Sequence, residues 1–480
     1  MSDLHVVVLA AGKGTRMKSE VPKVLHRIAG RSLIEHVLQT AASLRPNTTT
    51  LVVGHGAEQV REQLAAQSHL RFVVQDPQLG TGHALLQTAP LLKGQSGSVL
   101  LLSGDVPLLR ARTLESLVRV HVEAGALVTL LTAVVDRPYG YGRVVRSQDR
   151  ITRIVEERDA SRAQREIKEI NSGIYALALQ PLFGALEEIG SDNAQGEYYL
   201  PDLIGIYRRR RKVVAAYRID NASEIRGINS RSELAEVSTM VRQQKNEELM
   251  AAGVTLIDPA TTYIDVDVEV EADTVIHPCV FLEGSTKIGA ACEIHAGSRI
   301  VNSTLGDKVV VRNHSVITDA RIAAGASIGP FAHLRPGADV GADAHIGNFV
   351  ELKKTTLGAR SKANHLTYLG DATIGADVNV GAGTITCNYD GRVKSTTIVE
   401  DGAFIGSDTT IVAPVKIGER AYVGAGSTIT ENVPAGALAI ARGRQENKDG
   451  WVKKREHDVQ SAKSKAHGDK TSAAKGPEHV

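Results

Sequence analysis

Five short stretches of the chain hold residue types whose spacing could do chemistry. Leu9-Ala10-Ala11-Gly12-Lys13-Gly14-Thr15-Arg16-Met17 follows the apolar run HVVVLA. Small residues there let backbone N–H groups approach a phosphate chain, and Arg16 adds charge. Asp105 closes the run VLLLSGD, and a carboxylate at the C-terminal end of a strand can coordinate Mg²⁺ beside a triphosphate. An isolated strand-end Asp is more often a turn-forming cap, but the context Gly104-Asp105-Val106-Pro107 favours a site. Further on, His333-Leu334-Arg335-Pro336-Gly337 and Asn348-Phe349-Val350-Glu351-Leu352-Lys353-Lys354 bring cations to a region of otherwise small, neutral residues. A phosphorylated ligand is the natural reason. His365 follows in Lys362-Ala363-Asn364-His365-Leu366-Thr367-Tyr368-Leu369-Gly370-Asp371. Taken alone, one histidine among 16 reads as structural.

Several function classes drop out. Met17 stands where the third glycine of a dinucleotide fingerprint would be, and no GxxxxGK[ST] loop is present. The remaining GxG also fits an ordinary glycine-rich strand-to-helix turn. With 56 Lys plus Arg against 54 Asp plus Glu, there is no global basic field to mark a nucleic-acid binder. The basic run Arg208 to Lys212 reads as the cationic end of a helix leading into VVAAYRI. Cys279, Cys292 and Cys387 form no CxxC pair and are odd in number, which argues against a disulfide framework or a zinc site and fits a reducing, cytoplasmic setting. The opening LHVVVLAAG lacks a basic flank, and no apolar run reaches transmembrane length, so no membrane association is expected.

The elements that must position these residues fall into two halves with different periods. At 480 residues, two domains or more are expected. From Val6 to about Arg226, strand-like runs (HVVVLA, TLVVG, RFVVQ, SVLLLSGD, LVTLLTAVV) alternate with helix-like segments. This βαβ pattern predicts an open, mainly parallel sheet with helices on both faces and ligands at the strand C-termini. After Asn229, Leu234, Val237, Val241 and Leu249 recur at helical spacing, predicting a connecting helix ending at Gly253. Beyond it aliphatics recur every six residues: Val270, Ile276, Leu282, Ile288, Ile294 and Ile300, then Ile322, Ile328, Leu334, Val340, Ile346 and Leu352, and finally Val399, Ile405, Ile411, Ile417, Val423 and Ile429. Glycine often follows the aliphatic, as in Ile288-Gly289 and Val423-Gly424, giving tight corners to a parallel β-helix. The phase slips between Ile300 and Leu305, Ile317 and Ile322, and Leu352 and Leu357, and is lost over residues 387 to 397, which reads as a protruding loop. From about Arg444 the chain turns polar. The expected organisation is residues 1–229, a linker helix over 230–252, a β-helix over 253–442 and a disordered tail over 443–480, with Lys453-Lys454-Arg455 as a solvated charge cluster.

With Pro22-Lys23 shortly after it, the first stretch resembles the LxxGxGTRM…PK signature of nucleotidyltransferases that make nucleoside-diphosphate sugars. KxxHLxYLGD, followed by Asn379, Gly381-Ala382-Gly383-Thr384 and Thr386-Cys387-Asn388-Tyr389-Asp390-Gly391, resembles the acetyltransferase half of the bifunctional N-acetylglucosamine 1-phosphate uridyltransferase / glucosamine 1-phosphate acetyltransferase family. That resemblance covers about residues 4 to 442. It implies an α/β nucleotidyltransferase domain with a Rossmann-like mixed sheet, followed by a left-handed β-helix of hexapeptide repeats. The handedness comes from the resemblance alone, since general chirality rules favour right-handed crossovers.

The resemblance also implies roles. Leu9, Ala10, Ala11, Gly12 and Arg16 would hold the nucleotide phosphates, Lys23 would meet the sugar phosphate, and Asp105 with Asn229 would bind Mg²⁺, although Asn229 by itself passes for a helix N-cap. Gln75, Gly80 and Thr81 would select uracil, and Gly142, Glu156 and Asn171 would contact the sugar. In the second half, Arg335, Lys353, Tyr368 and Asn379 would hold glucosamine 1-phosphate. Ala382, Asn388, Tyr389, Ser407, Ala425 and Arg442 would contact acetyl-CoA. An amino sugar must lose a proton to attack a thioester, and a histidine suits that general-base role, which falls to His365. The substrates implied are glucosamine 1-phosphate, N-acetylglucosamine 1-phosphate, UTP and acetyl-CoA, in a homotrimer with acetyl-transfer pockets shared between neighbours. Two alternatives stay open: a scaffolding protein with a degenerate nucleotidyltransferase domain, and a GDP-mannose or ADP-glucose pyrophosphorylase carrying a structural β-helix. Intact Lys23, Asp105 and His365 oppose the first. The His365–Asp371 and Cys387–Gly391 segments oppose the second.

Overall fold

The computed structural model describes residues 3–472, with side chains through residue 465. Strand-forming runs in the first half build one sheet. They are β1 (Leu4–Ala10), β2 (Thr48–Val53), β3 (Leu70–Val74), β4 (Ser98–Ser103), β5 (Val128–Val134), β6 (Gly142–Ser147), β7 (Arg150–Val155), β8 (Glu169–Ala178) and β9 (Val214–Ile219). The central strands β1, β2, β4, β5 and β8 are largely apolar and buried on both faces, while β3, β6, β7 and β9 are partly exposed. The main order is β9-β5-β8-β4-β1-β2-β3, with the β6–β7 hairpin hung on β8. β1, β2, β3 and β4 run parallel, while β8 lies antiparallel between β4 and β5, so the sheet is mixed. Side chains alternate across it: Val6, Val8 and Ala10 enter one core and Val7 the other.

A helix over Arg231–Ala251 follows. Ser230 caps it in a reciprocal capping box with Glu233, and Gly253, at φ +97°, takes the chain out. Val237 and Val241 pack with Met17, Ile28, Leu33 and Ile228, and Val266 of the following domain lies against them. Met17, which breaks the dinucleotide fingerprint, is thus a core residue at the junction.

From Thr255 to Ala439 the described chain winds into three parallel sheets of 11, 10 and 9 short strands, one for each side of a triangular prism. Each strand pairs with the equivalent strand one coil on, as in Ile276↔Ile294 and Leu334↔Leu352. Every aliphatic of the six-residue series is buried in one continuous core. Buried Ser and Thr at the corners, such as Thr274 on Gly289 O (2.8 Å) and Ser361 on Gly375 O (2.7 Å), satisfy backbone carbonyls that tight turns leave over. The phase slips have a local cause: Asn302, Asp319 and Lys354 take left-handed φ of 45 to 48° in corners one residue shorter. This architecture is consistent with the left-handed winding of hexapeptide proteins. Residues 388–395 form a small hairpin closed by a Tyr389↔Lys394 bridge.

The tail corrects one expectation. Trp451–Ser472 is helical, because Lys, Glu, Gln and Ala favour the helix and no proline interrupts it, even though the segment has no apolar face to bury. Residues 473–480 of the expected tail lie outside the described residues. Among the described residues, no helix is long and apolar enough to cross a membrane.

Candidate active sites

β1 and β4 are neighbours in register, Leu9 beside Ser103, so the loop after β1 and the turn after β4 emerge side by side. Gly104 N–H donates to Leu9 O (2.9 Å), fixing the turn against Ala10 and Ala11. Gly12 has open space around it, and Lys13 and Arg16 are exposed. Gly14 adopts φ +59°, and a Cβ there would lie 2.7 Å from Lys23 Cβ, so the glycine lets the lysine segment pack under the loop.

Lys23 Nζ forms a close ion pair with Asp105 and donates to Asn229 Oδ1 at 3.2 Å. The backbone brings these residues together as well: Ile228 N–H donates to Asp105 O at 3.1 Å. Ser230, not Asn229, is the helix N-cap, which leaves the Asn229 carboxamide oxygen for the cation. Two hard oxygens, a carboxylate and an amide carbonyl, already converge on one positive charge. That donor set fits a hard dication such as Mg²⁺.

The other residues expected to act in this domain sit on the 75–81 loop and on or next to strands β6 to β8. Gln75, buried at the end of β3, donates to Gly80 O (2.9 Å), and Thr81 Oγ1 accepts from Leu200 N–H (3.1 Å), pinning the 75–81 loop. Gly142 pairs with Asn171 across β6 and β8. A Cβ on Gly142 would lie 2.9 Å from Glu156 Oε1 and from Ile154 Cγ2, so a side chain there would displace the Glu156 carboxyl. Burial raises the Glu156 pKa, with Asp159 and Asp202 adding to the effect. Asn171 donates to Tyr175 OH (2.6 Å) where the strand register shifts. Tyr141, next to Gly142, links this end to the metal-type end: burial, Glu233 and Asp105 raise its hydroxyl pKa against the pull of Arg226.

In the prism, Glu351–Lys353 pairs with Tyr368–Gly370 on one side. Arg335 donates to Glu351 Oε1 at 2.8 Å on that side. Lys353 is held below the usual lysine range, first by the adjoining Lys394 and then by lost solvent and Arg335, with Asp371 opposing. Crowded cations with few anions are the electrostatics of an anion subsite. Asn388 is buried and donates to Asp371, and Tyr389 OH donates to Gly391 O (2.7 Å) within the hairpin.

His365 stands on an edge of the prism, its Nδ1 2.9 Å from Asn348 Oδ1. With Nδ1–H donated to that oxygen, Nε2 is left as the basic atom. The edge is shared. Asn348, His365, Ala382, Ser407 and Ala425 each come two residues after a strand-paired core residue (Ile346, Ala363, Val380, Ile405, Val423) on successive coils. Arg442 lies past the last of them, its Cδ 3.8 Å from where a Gly426 Cβ would be. Asn379 is not brought to the cations: its strand pairs with Lys362 and Phe404 on a different side from Arg335, Lys353 and Tyr368.

Sequence reasoning missed two residues here. Asn348 precedes His365 by one coil, and that spacing is the signal that could have found it. Lys394 sits where the repeat is lost, so nothing in its position gave it away.

Residues 6–184 match the family described as MobA-like NTP transferase domain, and residues 396–431 match the bacterial transferase hexapeptide family (six repeats). The bifunctional protein GlmU of Shouchella clausii is 50% identical over 455 residues, 95% of this chain and 100% of its own. That of Koribacter versatilis is 51% identical over 455 residues, covering 94% and 97%. That of Listeria monocytogenes serovar 1/2a is 48% identical over 458 residues, covering 95% and 100%. A nucleotidyltransferase domain joined to a hexapeptide prism, aligned from end to end with such relatives, makes this chain a member of the bifunctional GlmU family.

Proposed function

We propose that the chain makes UDP-N-acetylglucosamine in two steps, acetylating glucosamine 1-phosphate with acetyl-CoA on the prism and coupling the product to UTP in the α/β domain. The observation that carries the reading is His365 on the edge it shares with Ala382, Ser407 and Ala425, in a chain that also holds the Lys23–Asp105–Asn229 cluster.

For acetyl transfer, Arg335 and Lys353, with Tyr368 beside them, hold the sugar phosphate. His365 Nε2 takes the proton from the amine as the nitrogen bonds to the thioester carbonyl carbon. The C–S bond then breaks, and coenzyme A leaves as a thiolate that is reprotonated. The edge residues, with Asn388, Tyr389 and Arg442, hold acetyl-CoA. Flat prism sides and the placement of Asn379 away from the other sugar-phosphate residues support a homotrimer in which a neighbour's Asn379 completes each pocket.

For uridylyl transfer, the loop from Leu9 to Gly12 and Arg16 cradle the triphosphate. Gln75, Gly80 and Thr81 hold the uracil. Gly142, Glu156 and Asn171 hold the acetylated sugar, and Lys23 draws its phosphate into line. An oxygen of that phosphate attacks the α-phosphorus of UTP, and the bond to pyrophosphate breaks, with positioning and charge neutralisation supplying the rate. Asp105 and Asn229 would hold Mg²⁺, which when bound neutralises triphosphate charge. The protein works in the cytoplasm on small molecules, with neither nucleic acid nor membrane as a partner.

The test is direct. Purified protein is incubated with glucosamine 1-phosphate, acetyl-CoA, UTP and Mg²⁺, and products are identified by mass. UDP-N-acetylglucosamine is expected, and its absence overturns the proposal.

A further inference from the structure

The first coils of the prism carry a cluster that neither reaction uses. His277 and His295 are neighbours one coil apart, with His277 N–H donating to Ile294 O (2.9 Å). Their rings stack at 4.7 Å between centroids and 13° between planes. Both Nε2 atoms converge on one carboxylate oxygen, Glu293 Oε1, at 3.2 Å from His277 and 3.4 Å from His295. All three ligand atoms lie within 4.8 Å of one another, and all three residues are partly buried.

These positions are not dictated by the fold. The residue after the inward aliphatic on this side is glycine on many later coils, at Gly329, Gly347, Gly381, Gly406 and Gly424. There a Cβ would crowd the neighbouring coil, lying 1.8 Å from Asn364 O at Gly347 and 2.4 Å from Ala425 N at Gly406. The first coils instead place imidazoles at that position, with a carboxylate between them. Arg312, one coil beyond His295, is the nearest cation in the column, and it is exposed.

We propose that His277, Glu293 and His295 form a binding site for a borderline divalent transition ion, zinc foremost. Two imidazoles and one carboxylate are the donor set of an open zinc site, which leaves one position for water. Zn–N and Zn–O bonds of about 2.0–2.2 Å in a tetrahedron give ligand-to-ligand edges of about 3.3–3.5 Å. The two observed N···O separations are already close to that edge, and rotation of the stacked imidazoles about their side-chain bonds brings both lone pairs onto one ion. A hard ion such as Mg²⁺ would not choose this donor set. Bound here, zinc would tie two consecutive early coils together, several coils along the prism from His365.

The test uses full-length, untagged protein stripped with chelator and then dialysed, with millimolar Mg²⁺ present to occupy hard-oxygen sites. Zinc titration by calorimetry should give one ion per chain, and Co²⁺ should produce the intense visible absorption of a tetrahedral site. Glu293→Gln and His295→Gln should each weaken zinc binding at least tenfold, while Cys279→Ser, two residues from His277, should not. On the unaltered protein, zinc should protect His277 and His295 from acylation by diethyl pyrocarbonate, read by peptide mass mapping, so the result does not depend on a variant folding. Equal zinc binding by the His277→Asn/His295→Asn double variant, or no protection of either histidine, overturns the proposal.

Discussion

His365 and Asn348 are register partners on adjacent coils, and the asparagine oxygen lies 2.9 Å from Nδ1 of the imidazole. The general base proposed for acetyl transfer, presented by an exposed edge, needs its ring held in one orientation and one tautomer, and this contact does both. His365→Ala should lower acetyl transfer by about 10²–10⁴-fold, the span for losing a general base. Asn348→Ala should cost about tenfold in kcat with KM little changed, the equivalent of one hydrogen bond. Steady-state kinetics of both variants check this, and an Asn348 variant with wild-type kcat would leave the histidine oriented by something else.

Asp105→Ala removes one of the two oxygens that meet Lys23. Uridylyl transfer should fall at least ~10²-fold, with acetyl transfer retained, because the two sites share no residue. Assaying each half-reaction with its own substrate decides the matter, and parallel loss of both would refute separate sites.

Gly347→Ala places a methyl group 1.8 Å from Asn364 O, next to His365. The backbone must move, since the obstacle is a carbonyl and not a flexible side chain. Overpacking of this kind costs about 1–3 kcal/mol and displaces the strand that carries the base. Acetyl transfer should drop by about tenfold or more while uridylyl transfer stays normal, as measured on the same preparation.

Because Asn379 lies on a different side of the prism from Lys353, the proposed trimer makes a mixing prediction. Asn379→Ala and Lys353→Ala chains, refolded together, should regain acetyl transfer, since some pockets then draw each residue from an intact chain. Pockets built within single chains would always carry one lesion, so mixed trimers without recovery would count against sharing.

His121 is buried, with Nδ1 3.0 Å from Thr129 Oγ1, and burial lowers its pKa from 6.5 to about 4. As pH falls, the unfolded chain takes up this proton before the folded one does. The stabilising contribution is therefore full above about pH 6.5 and is lost as pH drops toward 4, by up to about 3 kcal/mol. Calorimetric melting of the α/β domain should become steeply pH-dependent in that window, and His121→Gln should flatten the slope.

The six-residue aliphatic series was legible because every inward position must be filled by a similar side chain, so the core writes its period into the sequence. The stretch around Gly12, Lys23 and Asp105 was legible as a motif. The convergence of Lys23 on Asp105 and Asn229, 82 and 206 residues away, depends on strand order, which periodicity does not encode. Which side of the prism Asn379 faces was hidden for a similar reason: shortened corners alter the count from residue number to side. The helix over Trp451–Ser472 was missed because local propensity can write a helix without any apolar stripe to announce it.

The shared edge also works as a ruler. Parallel strands stack about 4.8 Å apart, so the three coil steps from His365 to Ala425 span about 14 Å in fixed increments. A coenzyme bound there as proposed would be measured against rungs whose spacing is set by backbone hydrogen bonds and not by side chains. Inserting or deleting one whole coil would change the reach by a single rung and leave the cross-section intact, so chain length in this half becomes a setting that evolution can adjust in integer steps.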